Sequence, residues 1–176
     1  MDPRVKLAAA AMLILCLSAC GSVQTAQPAG FDLTGRWRLD VARSDPTPRA
    51  EMPADIDPMR TGAPPVPFRP GDFPLLGAEE LIIEQDQQSM GIEYVGVAYR
   101  DVSFGERKWS GWKITAGWND EGALEVRMKR GPVHYAETYR LAPDRTRLVI
   151  HAMVDTQRGE RTITRSFSRV PTARDP

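Results

Sequence analysis

The sequence predicts an all-β domain, an antiparallel meander of about eight to nine short strands closed into a small barrel, with a long proline-rich loop after the first strand. Three observations predict it. From Glu80 onward apolar residues recur at every second position, the period of a strand with one buried face. Turn-forming groups such as Asn119-Asp120-Glu121-Gly122, Gly131-Pro132 and Pro143-Asp144 separate these runs at hairpin spacing. No amphipathic helix stands out after the N-terminal apolar run. Consecutive hairpins make a meander, and closure removes its exposed edges. An open sandwich is the alternative.

The elements follow in chain order. Arg4 and Lys6 open the chain, and eleven apolar residues run from Leu7 to Leu17. That suits the core of a signal peptide and is too short to span a bilayer, which takes about 20 residues. Gly21 to Gly30 is small and polar, without hydrophobic period, and reads as a flexible tether. After Gly35, Trp37, Leu39 and Val41 alternate with Arg38 and Asp40, which predicts the first strand. Nine of the chain's 15 prolines then fall between Ala42 and Ala78, so the 41–78 segment is expected to be an irregular insertion. Phe73, Leu75 and Leu76 suggest that its end packs on the domain.

Strands are then expected at Leu81–Gln85, Met90–Tyr94, Val97–Phe104, Trp112–Trp118, Leu124–Lys129, Val133–Leu141, Leu148–Val154 and around Ile163–Phe167. Gly105-Glu106-Arg107 reads as a break after the third of these runs. The barrel thus spans 31–170, and 171–176 is a tail.

A chain of 176 residues with 23 basic and 23 acidic side chains, less a 19-residue leader, suits one near-neutral domain. Such a domain has no electrostatic footprint for nucleic acid.

Leu17-Ser18-Ala19-Cys20 resembles the lipobox of bacterial lipoproteins. The resemblance implies a signal peptide over 1–19, a lipid on the Cys20 thiol and a lipidated tether over 20–30. Gly21 after the cysteine implies sorting to the outer membrane, with the domain facing the periplasm. Cys16 then leaves with the leader and Cys20 is acylated, so no free thiol remains for disulfide, metal or catalytic chemistry.

Thr34-Gly35-Arg36-Trp37 resembles the Gly-X-Trp signature that opens the first strand of lipocalins and related calycin barrels. The wider stretch Leu33 to Ser44 is similar to the start of bacterial lipocalin-like proteins. The resemblance implies a lipocalin-like barrel in which Arg165 or Arg169 of the final strand covers Trp37, and it implies binding of a small apolar molecule. Leu141 to Leu148 also resembles a turn pattern there, with Arg145 where glycine is usual, which argues against a positive φ at that position.

Candidate site residues come from strand parity. Glu137 shares a face with Tyr135 and Tyr139, and Arg165 shares one with Ile163 and Phe167. A buried lone carboxylate is costly, so an interior Glu137–Arg165 contact is the expected polar pair, one that would orient a ligand's head group. The alternative places both near a barrel mouth, in water. Tyr94, Trp112, Trp118, Tyr135 and Tyr139, with Trp109, are the aromatic candidates for a ligand pocket, and barrel core is their plainer role. His134 and His151 fall on polar parities. His151 and Asp155 lie about 13 Å apart along a strand, too far for one metal. No catalytic motif, metal site or cofactor is expected. The expected partners are the membrane through Cys20 and a small apolar or amphipathic ligand. A structural or accessory module, with its proline-rich loop on an envelope protein, is the competing reading.

Overall fold

The computed structural model describes residues 23–47, 73–156 and 159–171. Cys20, the leader and most of the proline-rich insertion lie outside the described residues.

Ten antiparallel strands follow one another: β1 (Gly35–Leu39), β2 (Glu80–Gln85), β3 (Ser89–Tyr94), β4 (Ala98–Ser103), β5 (Gly105–Trp109), β6 (Trp112–Trp118), β7 (Leu124–Arg130), β8 (Val133–Leu141), β9 (Arg147–Thr156) and β10 (Gly159–Arg169). Their order in the sheet is β4-β3-β2-β1-β10-β9-β8-β7-β6-β5. β1 therefore pairs with both β2 and β10, and the meander curls into a nearly closed barrel that, among the described residues, opens only between β4 and β5.

The expectation of eight to nine strands is one short because β5 is Gly-Glu-Arg-Lys-Trp. An edge strand with charged side chains carries no apolar alternation to reveal it. Gly105, at φ +104, makes the sharp corner from β4 into β5, which is why the stretch looks like a break.

The period-two faces point inward as read. On β8 the residues alternate between buried and half-buried from Val133 to Tyr139. The interior packs Leu81, Ile92, Ile114, Leu124, Ile150 and Phe167 into one cluster. Turn chemistry holds the hairpins in register. Asn119 Oδ1 accepts from the amides of Glu121 and Ala123, and Gly122 supplies φ +73.

The strand directions give the barrel two ends. The base carries the β2–β3, β4–β5, β6–β7 and β8–β9 turns. The mouth carries the roots of the proline-rich insertion. At the base, Trp118 meets Phe31 edge-on at 6.1 Å and Phe104 at 4.5 Å.

The stretch read as a flexible tether is fastened there from Gln24 to Phe31. Gln24 and Trp118 exchange two backbone hydrogen bonds of 2.7 Å, Arg145 donates to the Gly30 carbonyl at 2.9 Å, and Gln27 donates to the Phe31 carbonyl. Arg145 sits at φ +56, contrary to the expectation drawn from its missing glycine. The strain is offset because both ends of the residue are held. Its guanidinium bonds Gly30, and its carbonyl accepts from Arg169 Nε at 3.0 Å.

Candidate functional site: a buried polar centre inside the barrel

The site is built on β8. Its inward parity would suit an unbroken apolar row, but the fifth residue is Glu137, with no exposed surface at all. Burying a carboxylate costs several kcal/mol unless its oxygens are satisfied. Here each oxygen accepts twice. Tyr135 Oη donates to Oε1 and Tyr139 Oη to Oε2, both at 2.6 Å. These tyrosines lie two residues either side of Glu137, so one strand places all three groups on one face.

The countercharge comes from across the barrel. Arg100 on β4 donates Nη1 to Oε1 at 3.1 Å and Nη2 to Oε2, a two-pronged pair, and Nη2 also reaches Tyr139 Oη at 3.0 Å. Tyr94 of β3 completes the group, with the Arg100 guanidinium 5.4 Å from its ring centre.

Electrostatics within the group are mutually supporting. Burial first, then the Glu137 carboxylate, pushes the Tyr135 and Tyr139 phenols well above their ordinary value. Both therefore remain neutral donors. Burial by itself would lower the Arg100 value, but Glu137 and the tyrosine oxygens reverse this and hold the guanidinium charged. Burial also raises Tyr94. The Tyr94 hydroxyl and Arg100 Nε are buried without a well-formed hydrogen bond among the described residues, so the centre keeps polar capacity beyond what Glu137 uses.

The expected Glu137–Arg165 contact does not form. Arg165 is interior, at 1% exposure, but it serves the insertion. It donates to the carbonyls of Ala78 at 2.9 Å and Asp45 at 3.3 Å, and to Thr47 Oγ1 at 3.4 Å. One side chain thus clamps both roots of the loop. The reason is strand length: β1 ends at Leu39, opposite Phe167, so beyond it β10 faces the loop roots instead of a strand. Of the two terminal arginines it is Arg169 that lies over Trp37, 4.3 Å from the ring, while donating to the Thr34 carbonyl at 2.8 Å. Trp37 Nε1 donates to the Leu33 carbonyl at 2.8 Å.

The aromatic candidates divide between the two ends. Tyr94, Tyr135 and Tyr139 belong to the polar centre. Trp118 seals the base. Trp112 lies at the mouth, with Arg130 stacked over it at 4.4 Å. Trp109 is 64% exposed and lines no interior, because it ends the edge strand β5. Phe73 enters the mouth from the insertion, stacked on Tyr135 at 4.2 Å and edge-on to Trp112 at 6.4 Å. His134 and His151 are half-buried, and His151 Nδ1 lies 3.2 Å from Thr164 Oγ1.

Sequence reasoning does not single out Arg100. It is one charge in Tyr99-Arg100-Asp101, and nothing local marks which of these points inward. Phe73 is legible as a packed residue, but its partners are not.

Fold and site together define a class: an antiparallel β-barrel with a polar centre buried in an apolar interior. No protein-family model matches the sequence, and no curated protein matches it. Among solved structures, that of a point mutant of the fluorescent protein UnaG is similar, with a TM-score of 0.47 and 14% identity over 80% of this chain and 97% of that one.

Proposed function

We propose that this protein is a lipid-anchored barrel of the bacterial cell envelope that binds a small amphipathic molecule non-covalently. The observation that carries the reading is the polar centre. A barrel serving only as a packed scaffold gains nothing from burying Arg100 and Glu137, since an apolar pair of similar volume is often as stable or more so. Ligand sites combine an apolar lining with a few convergent polar groups that fix orientation. Tyr94 Oη and Arg100 Nε supply donors for a carbonyl or carboxylate end, and Trp112, Tyr135 and the surrounding aliphatic residues supply apolar contact. Anchoring rests on Leu17-Ser18-Ala19-Cys20, and location at the inner face of an outer membrane on Gly21.

Native mass spectrometry of protein extracted from membranes tests the binding. A retained small-molecule mass is expected, and it is expected to fall away in Arg100→Met. Repeated absence of any retained mass, with no uptake of an apolar fluorescent dye, removes the carrier reading.

One observation favours a second reading. Phe73 occupies the mouth against Tyr135 and Trp112, as it would in a filled barrel that acts through protein contacts. Under that reading Phe73→Ala gains no capacity for the dye.

A further inference from the structure

We infer that the barrel stands end-on at the bilayer, with its base against the lipid headgroups and its mouth turned away. The inference rests on lipidation of Cys20 as proposed above and goes further by assigning the face that meets the membrane.

A flexible tether would leave the barrel free to tumble. The chain from Gln24 onward is instead part of the barrel. Gln24 pairs antiparallel with Trp118 through its two backbone hydrogen bonds. The approach is close enough that a Cβ on Gly117 would lie 2.4 Å from the Gln24 carbonyl and 3.1 Å from the Val23 side chain. Arg145 and Gln85 hold Gly30 and Phe31 further along.

The chain meets the barrel at its base end: β6 runs from mouth to base, and Val23 lies against Gly117, next to the last residue of that strand. Only Gly21 and Ser22 stand between Val23 and the acylation site at Cys20. Three residue steps at full extension reach about 10 Å. The seven residues of β6 alone rise about 23 Å along their strand. With the docked segment in place, the base can reach the lipid and the mouth cannot.

Asp86, Asp120, Glu121, Asp144 and Arg145 at the base are exposed and mostly acidic, so the base gains no attraction from anionic headgroups and is held at the bilayer by the acyl anchor alone, without insertion. The exposed large apolar side chains Val41, Val95, Val97, Tyr99 and Trp109 all lie toward the mouth. A ligand then enters from the aqueous side and not directly from the bilayer.

The test uses the full acylated protein on phospholipid vesicles carrying a headgroup-attached quencher. Single thiol labels are placed at Asp120→Cys in the β6–β7 turn and at Val97→Cys near the mouth. Quenching several-fold stronger at Asp120 is expected. A flexible spacer long enough to span the barrel, inserted between Ser22 and Val23, is expected to make the two labels alike. Equal quenching in the acylated, vesicle-bound protein without the spacer, or stronger quenching at Val97, overturns the orientation and leaves the anchor standing. Peptide mass read on the same sample separates the other failure: no acyl mass on Cys20 removes the anchor, and the orientation with it.

Discussion

At the scale of residues, Glu137 is the group on which the interior depends. Its four accepted hydrogen bonds offset a desolvation cost that no single partner could meet. Glu137→Ala leaves Arg100 charged and largely buried without its countercharge, held only by Tyr139 Oη. A loss of about 3–5 kcal/mol is expected, read from urea unfolding. Arg100→Met with Glu137→Leu removes both charges, and the double variant is expected to recover much of that loss.

Alkaline pH gives a second test at this scale. Tyr94, Tyr135 and Tyr139 have folded-state values raised above the unfolded phenol value of about 10. Groups raised in this sense contribute stability that is fully present below that pH. The contribution is lost as pH climbs beyond it, because the unfolded chain gives up its phenolic protons first. Unfolding free energy measured across this range is expected to fall with rising pH, and less steeply in Tyr135→Phe and Tyr139→Phe than in the parent.

At the scale of elements, two segments that look irregular in sequence act as plugs. Phe73 with Leu75 and Leu76 closes the mouth, and Phe31 with Leu33 closes the base. Phe73→Ala removes a stacked ring and is expected to cost about 3–5 kcal/mol. If the interior takes a ligand, the same change raises dye uptake, which binding titration would show. Gly117→Ala pushes a methyl group into the Gln24 carbonyl. The docked N-terminal segment is expected to detach while the barrel stays folded, giving faster amide exchange at Gln24 and unchanged exchange in β8 and β9.

At the scale of the whole molecule, the break in the ladder lies between β4 and β5, which no described backbone bond joins. Only the Arg107 side chain reaches across, to the Asp101 carbonyl, among the described residues. Edges without ladder partners open most readily. Amides of β4 and β5 are expected to exchange first, well before those of the long β8–β9–β10 ladder. Uniform protection around the barrel would show that the gap is closed in solution.

How much was legible in the sequence varies with the range of the interaction involved. Alternation along β6, β7, β8 and β9 is a local signal, because side chains on a strand face the same way every two residues whatever lies opposite. All-β class, hairpin order, the common face of Tyr135, Glu137 and Tyr139, and that of Ile163, Arg165 and Phe167 follow from that alone; that the charged members of those faces lie inside does not. Partner choice is not local. Glu137 meets Arg100, 37 residues away in the chain, because curling the sheet brings β4 over β8. Arg165 shares the parity of the interior but turns to Ala78 and Asp45, because β1 is too short to face it. The segment before Phe31 is flexible by composition and fixed in fact, because Gly117 leaves room for a backbone to pair at the free end of β6. Sequence by itself determined the all-β class, the order of the hairpins and which residues of a strand share a face. Which of them touch, and which end of the barrel the N-terminal chain leaves from, were decided only by tertiary closure, since contact depends on where strands distant in the chain come to lie.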